Sequence, residues 1–515
     1  MFSRRQFFRI SAATAATPLL RGLAEQTDPA TRALCLKLRS DVLRPQYHLL
    51  PASNWMNDPN GPIFFHGRYH MFHQYNPKAA VWGNMNWAHA TSADLVHWKH
   101  EPIAISPTPG GPDQDGVFSG SAVLDHGVPT MIYTGVMPPA SAADATLRDG
   151  VHTWRETQCM AVSQDAELRT WRKIPGPIIA SPPPGLDVSG FRDPFVWREG
   201  ESWMLILGSG VRNKGGMVLL YSSPDLRHWT YLHPLVEGTA SLQKTVNPVD
   251  TGDMWECPDF FPLGNKHVLL ISTQGKVLWK VGTYKDQRFL PEKEGVTDWG
   301  SFYAAKTMLD QNGNRILWGW IPETRPAAEH SAAGWAGAMA LPRVLSLSAA
   351  NELQIEVLPA VQQLRDATRH HDAPLGTKKH EPTLDALRIH DLSAEIQVEC
   401  KKPDSSFALH LQSETGENFA TIRYTNKPDK RELQINEVKA PFTSDPTQPA
   451  SLHLFLDGSV LEAFANRTTA ITARVYQVPS SPLRMVLEGD TGQADLQVWQ
   501  LHPISKDRLT GSLCD

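Results

Sequence analysis

Pro62-Ile-Phe-Phe-His-Gly67-Arg-Tyr-His-Met-Phe72 reads as a short apolar strand, a tight turn on glycine and a second apolar strand, the pattern of a β-hairpin. The phrase returns four times, as Ser121-Ala-Val-Leu-Asp-His-Gly127-Val-Pro-Thr-Met-Ile-Tyr133, Pro194-Phe-Val-Trp-Arg-Glu-Gly200-Glu-Ser-Trp-Met-Leu-Ile-Leu207, Asp259-Phe-Phe-Pro-Leu-Gly264-Asn-Lys-His-Val-Leu-Leu-Ile271 and a fifth copy from Tyr303 to Trp320 that turns at Gly313. The turn glycines are 60, 73, 64 and 49 residues apart, too far for one hairpin and right for a unit of four short strands with loops. One such sheet cannot bury both of its faces, whereas a ring of them buries every face between neighbours. The expected fold is all-β, with a five-bladed β-propeller over residues 45–345. A second echo supports it. Ser92-Ala-Asp-Leu-Val-His-Trp98, Ser163-Gln-Asp-Ala-Glu-Leu-Arg-Thr-Trp171 and Ser223-Pro-Asp-Leu-Arg-His-Trp229 share a Ser-x-Asp start, a Leu and a closing Trp, and read as the turns into the outer strands of three blades.

The repeat stops after Leu341-Pro342. From Leu358 to Arg369 the apolar spacing suits a short helix, so residues 346–372 read as a linker. Alternating segments then follow at close intervals (393–400, 405–412, 419–425, 450–456, 459–465, 470–477, 483–488 and 494–500), broken by turn residues such as Asp457-Gly458. They predict a C-terminal β-sandwich over residues 373–508. At the other end, Ser3-Arg-Arg5-Gln-Phe-Phe8 leads into an uncharged stretch, Ile10 to Leu20, and the small-residue site Gly22-Leu23-Ala24. Residues 1–24 thus resemble a twin-arginine export signal, which predicts a periplasmic or extracellular protein. That stretch is too short to span a bilayer, and no later run is long and apolar enough to do so.

Composition narrows the function classes. The 49 Lys and Arg against 54 Asp and Glu leave a formal charge of −5, so no basic field is available to hold nucleic acid. The five cysteines (35, 159, 257, 400 and 514) are far apart and form neither a disulfide framework nor a zinc-type pair. No metal and no cofactor is expected. Sixteen tryptophans suit stacking on sugar rings and equally suit large β cores.

In a propeller the first strand of each blade lines the central channel, so equivalent positions converge on the axis however far apart they are in sequence. Asp58, Asp193 and Glu256 stand 9, 7 and 8 residues ahead of the turn glycines of their repeats. Asp before Pro is a common turn starter, which alone would explain Asp58-Pro59 and Asp193-Pro194. Three acids in phase predict a carboxylate cluster instead. Such a cluster, walled by aromatics, is what glycoside hydrolysis needs: one carboxylate attacks the anomeric carbon, a carboxylic acid protonates the leaving oxygen, and negative charge stabilises an oxocarbenium-like transition state. Like charges close together keep one member protonated near neutral pH.

Trp55-Met-Asn-Asp58-Pro-Asn-Gly61, Phe191-Arg-Asp193-Pro194 and Trp255-Glu256-Cys257-Pro258-Asp259 resemble the three signature motifs of glycoside hydrolase family 32, the invertases, inulinases, levanases and fructan exohydrolases. Trp82-Gly-Asn84, Phe118-Ser-Gly-Ser121, Ser301-Phe-Tyr-Ala304, Leu317-Trp-Gly-Trp320 and Gly334-Trp-Ala-Gly337 extend the likeness, several of them toward the plant-type branch. The resemblance implies a five-bladed propeller with a β-sandwich and a retaining hydrolase that cleaves terminal β-D-fructofuranosyl linkages of sucrose or fructans. It casts Asp58 as nucleophile, Glu256 as acid/base and Asp193 as the transition-state stabiliser. It also implies Asn57, Gln74, Ser119 and Arg192 as sugar hydrogen-bonders, Trp55, Trp82 and Phe118 as the aromatic wall, and Cys257 as a neighbour that tunes pKa. Sucrose-cleaving plant-type members tend to carry an acid in the fourth-blade loop, and Ser272-Thr-Gln-Gly-Lys276 has none. Two other readings stay open: a fructosyltransferase, which shares the covalent intermediate and passes it to a sugar hydroxyl, and a non-catalytic carbohydrate-binding propeller.

Overall fold

In a computed structural model, described over residues 28–239, 247–375, 387–403, 405–427, 429–442, 449–490 and 493–511, each glycine phrase forms the first hairpin of its own antiparallel sheet. The export-signal segment lies outside the described residues. Four-stranded blades run through 54–105, 116–173, 188–237, 256–296 and 303–357, with the inner strands Asn54–Phe65, Gly116–Asp125, Val188–Glu199, Glu256–Leu263 and Tyr303–Leu309. The first two turns are two residues long with positive φ at both positions, 48° and 76° at His66-Gly67 and 49° and 82° at His126-Gly127. Such turns match the twist of the strands they join, and glycine enters them without a Cβ penalty. The Ser-x-Asp segments are also turns. Asp94 accepts from the amides of Val96 and His97, and Asp225 from those of Arg227 and His228, each just ahead of its blade's outer strand.

The ring closes on itself. Asn54 and Trp55 pair in parallel with Trp335 and Ala336, so a segment beyond the fifth hairpin adds a strand to the inner edge of the first blade. Hydrophobic clusters fill the seams between blades, and the largest continues without a break from Trp98, Phe302 and Trp318 of the propeller to Phe455, Phe464 and Trp499 of the second domain. That domain is a sandwich of a six-stranded and a five-stranded sheet. Together the sheets make the all-β architecture of a five-bladed propeller followed by a β-sandwich.

Three local expectations need correction. Leu353–Val357, inside the segment read as a linker, is the outer strand of the fifth blade. The helix there is one 3-10 stretch, Pro359–Leu364, after which Arg365–Leu375 runs as an edge strand of the sandwich. Its polar sequence, Arg365-Asp-Ala-Thr-Arg-His-His-Asp372, has no alternation to betray it, because an edge strand can be stabilised by one neighbour. Cys35, on the helix Pro29–Ser40, is disulfide-bonded, which a count of widely spaced cysteines did not anticipate. Among the described residues, no helix is long and apolar enough to cross a membrane.

Candidate active site

The three acids sit within their inner strands, each at or beside an irregularity in the pairing: between Met56 and Pro59, between Arg192 and Phe195, and between Glu256 and Asp259. The same bulge recurs in the second blade between Phe118 and Gly120 and in the fifth between Tyr303 and Lys306. A bulge inserts an unpaired residue and re-aims its side chain. Asp193, Cys257 and Ala304 take left-handed backbone at these points, with φ of 64°, 47° and 54°, a conformation that costs a non-glycine residue of order 1–3 kcal/mol. Five bulges in phase thus turn side chains from all five blades toward one end of the channel. There they line a cavity of about 580 Å³, a common size for a small-ligand site.

At its floor, Asp58 Oδ2 accepts from Ser119 Oγ at 2.6 Å and from the Cys257 thiol at 3.4 Å, while Oδ1 accepts from Asn57 Nδ2 at 3.1 Å. Burial and the nearby Glu256 charge raise its pKa above the ordinary carboxylate value, and those hydrogen bonds partly offset them. Asp193 Oδ2 accepts from the Cys257 amide at 2.9 Å and from its thiol at 3.5 Å. Burial lifts the Asp193 carboxyl to about 7; Arg192 opposes the rise, and Glu256 and Asp58 add to it. Cys257 therefore lies between two carboxylates. Burial first and those two charges next push its thiol well above its ordinary value, so it stays protonated, shares its one S–H as a hydrogen-bond donor between the two carboxylates, and is not a nucleophile.

Glu256 is held on both oxygens. Arg192 Nη2 and Nε donate to Oε1 at 2.8 and 3.2 Å, and Tyr303 donates its hydroxyl to Oε2 at 2.7 Å. Arg192 is fixed from behind by fully buried Glu156, whose Oε1 accepts from Nη1 at 2.8 Å and whose Oε2 accepts from the Phe191 amide at 2.7 Å. The Trp255 indole beside Glu256 seats on Gly216 and Gly238, where a Cβ would meet the ring at 2.2 and 2.4 Å. Any side chain at either glycine would displace the strand that carries Glu256.

Two sequence profiles match this chain, "Glycosyl hydrolases family 32 N-terminal domain" over residues 48–357 and "Glycosyl hydrolases family 32 C terminal" over residues 360–500. The chain belongs to glycosyl hydrolase family 32. It is 33% identical over 494 residues to a sucrose-6-phosphate hydrolase of Escherichia coli, covering 90% of this chain and 96% of that one. It is 31% identical over 524 residues to a beta-fructofuranosidase, insoluble isoenzyme, of Arabidopsis thaliana, covering 84% and 85%. Among solved structures, fructan 1-exohydrolase IIa of Cichorium intybus superposes with a TM-score of 0.74 at 27% identity, over 90% of this chain and 98% of that one.

In this family 32 glycoside hydrolase, nine of the ten residues expected at the site do line the cavity: Asn57, Asp58, Gln74, Trp82, Phe118, Ser119, Arg192, Asp193 and Glu256. Trp55 does not. It is buried behind the wall, where its indole Nε1 donates to Asn57 Oδ1 at 2.8 Å and its ring packs on Trp320, and Trp320 is the one that faces the cavity. The aromatic wall also includes Trp154 with His152 stacked on it at 4.1 Å, beside Trp82 and Phe118. Trp82 is 40% exposed, unusual for so large an apolar ring and suited to a sugar face. Sequence reading missed Trp154, His152, Tyr303 and Glu156. Tyr303 had a usable signal, since it opens the fifth inner strand in the motif Ser301-Phe-Tyr-Ala304. Glu156 had none, because it lies on the third strand of its blade, outside the repeating phrase.

The raised Asp193 carboxyl has a cost in stability. A folded-state pKa above the unfolded value means that the folded protein holds its proton longer, so the stabilisation present below about 3.8 is lost as pH rises through about 7. Asp193→Asn is accordingly expected to raise Tm by a few degrees at pH 8 and to show almost no such gain near pH 4. Calorimetry at the two pH values checks this; an equal gain at both would mean that the charge is not the cause.

Proposed function

We propose that this chain is a retaining β-fructofuranosidase, releasing fructose from the non-reducing end of sucrose or a fructan through a covalent fructosyl-enzyme. The observation that carries the reading is the division of labour in the cluster. The oxygens of Asp58 accept hydrogen bonds only from neutral groups, leaving the carboxylate able to attack C2, whereas Glu256 is anchored by a guanidinium and a phenol that fix its direction. In the first step an Asp58 oxygen bonds to C2 as Glu256 gives its proton to the departing glycosidic oxygen. In the second, Glu256 takes a proton from water, whose oxygen displaces Asp58 from C2. Asp193, partly protonated near neutral pH, faces the sugar as a hydrogen-bonding partner for its hydroxyls.

The names of the relatives support this substrate class, since they include a beta-fructofuranosidase, a fructan 1-exohydrolase and a silkworm beta-fructofuranosidase solved with sucrose. Export is proposed with it. The twin-arginine-like segment and the disulfide at Cys35 both fit an oxidising compartment. The deciding experiment is product chromatography after incubation with sucrose, inulin and levan. Free fructose is expected from at least one, with an Asp58→Ala control silent. Transfer products in place of free fructose would favour the fructosyltransferase, and no turnover of any of the three would favour a binding module.

A further inference from the structure

Besides the three acids, the cavity is lined by Trp82, Trp154, His152, Asp149 and Asp250. Asp149 and Asp250 are two further carboxylates, and they come from loops of different blades, the first ahead of Thr153–Ser163 and the second ahead of Glu256–Leu263. Burial works to raise the Asp149 pKa, but the amide and ring of His152 and the Val151 amide hold it below the ordinary value, so it is charged at neutral pH. Asp250 is exposed and makes no ion pair among the described residues. The one guanidinium in the described lining, Arg192, is already engaged between Glu156 and Glu256, and the His152 ring lies against Asp149 at 3.1 Å. Carboxylates accept hydrogen bonds from sugar hydroxyls, and the aromatic faces stack on a ring's C–H surface. A phosphate is a dianion near neutral pH and calls for Arg or Lys forks in place of carboxylates.

We infer that the leaving-group side of this pocket selects an uncharged sugar and rejects a phosphorylated one, with Asp149 and Asp250 as the discriminating residues. The inference rests on the fructofuranosidase reading and narrows its substrate class. It separates this chain from a relative named for sucrose 6-phosphate despite 33% identity. It also gives the cavity an acid that the fourth-blade loop Ser272–Lys276 lacks, supplied by Asp250 from the loop ahead of Glu256–Leu263. Repulsive groups of this kind set specificity by penalising the wrong partner.

The test compares kcat/KM for sucrose, 1-kestose and sucrose 6-phosphate on the full mature enzyme, with Asp58→Ala as control. The better of the two neutral sugars is expected to exceed sucrose 6-phosphate by about tenfold or more, with the gap narrowing as salt is added. Asp250→Lys is expected to shrink the ratio by raising turnover of the phosphate ester. Equal or faster cleavage of sucrose 6-phosphate by the wild type would overturn the inference and leave the fructofuranosidase reading intact. Failure to release fructose from any of the three would overturn that reading, and the inference with it.

Discussion

Asp58→Ala is expected to lower kcat by roughly 10⁴- to 10⁶-fold on every fructoside tried, the scale at which an enzyme loses its nucleophile. The loss arises because no neighbour can substitute. Asp193 is tied to the Cys257 amide at 2.9 Å, Glu256 is clamped by Arg192 and Tyr303, and the Cys257 thiol is held protonated. Folding should survive. Removing a buried carboxylate whose pKa burial has raised relieves a desolvation cost, and the partners left behind are the small hydroxyl, amide and thiol groups of Ser119, Asn57 and Cys257. Glu256→Gln provides the contrast. Without its proton donor the enzyme should lose about 10²- to 10⁴-fold in kcat/KM on sucrose, and far less in kcat/KM on a fructoside whose leaving group departs without protonation, while kcat stays low on both because the second step has lost its base. Steady-state kinetics on both substrates, beside thermal melts, read this directly. A Glu256→Gln enzyme with kcat/KM reduced equally on both would strip Glu256 of the acid role, and an Asp58→Ala enzyme with most of its activity would strip Asp58 of the nucleophile role.

What the sequence made legible was the part governed by short-range rules. Glycine favours the positive-φ turns at Gly67, Gly200 and Gly264, and counting back from them finds the strand that carries each acid. In the fourth blade the register differs by one residue: Cys257 and not Glu256 occupies the pre-proline position of Asp58 and Asp193. That shift sets Glu256 against Arg192 and Tyr303 and puts the thiol between the two aspartates. Trp55 shows the opposite limit. Its place in a signature motif suggested a sugar-facing ring, yet Trp320 and His330, more than 260 residues away in sequence, pack against it and Trp320 takes the place at the cavity. Glu156 and Trp154 are equally invisible because their roles depend on which blades become neighbours. Local conformation is written in nearby residues; the depth of a side chain behind a wall is not.

Arg343→Ala is expected to destabilise the whole protein by about 3–5 kcal/mol, the cost of breaking a buried ion pair by removing one partner. The guanidinium is fully buried between the rings of Phe302 and Phe464, at 4.3 and 4.9 Å, and pairs with Asp298 of the propeller at 2.9 Å and Glu462 of the sandwich at 2.6 Å. The other oxygen of Glu462 accepts from the Leu341 amide and faces His48 Nε2, both at 2.9 Å, and His48 Nδ1 lies 2.8 Å from Asp457. Five charged groups thus cross the domain boundary in one chain. Without Arg343, Glu462 and Asp457 share a single imidazolium and Asp298 keeps only the amides of Gly300 and Thr472 and the Thr472 hydroxyl, all in buried surroundings. The pH dependence follows from His48. Burial opposes its charge, but hydrogen bonds to Asp457 and Glu462 outweigh burial and lift its pKa to about 9. Its folded value lies above the unfolded one, so its contribution is complete below about 6.5 and is lost as pH rises through about 9. Urea unfolding of the wild type should therefore show a midpoint that falls between pH 7 and about 9.5, and His48→Gln should start lower and flatten that fall. Because the network holds the sandwich against the propeller, Arg343→Ala should also make the two domains unfold separately where the wild type melts as one. A single unfolding transition with an unchanged midpoint in Arg343→Ala would mean that the apolar seam around Phe464 and Trp499 holds the domains together without it.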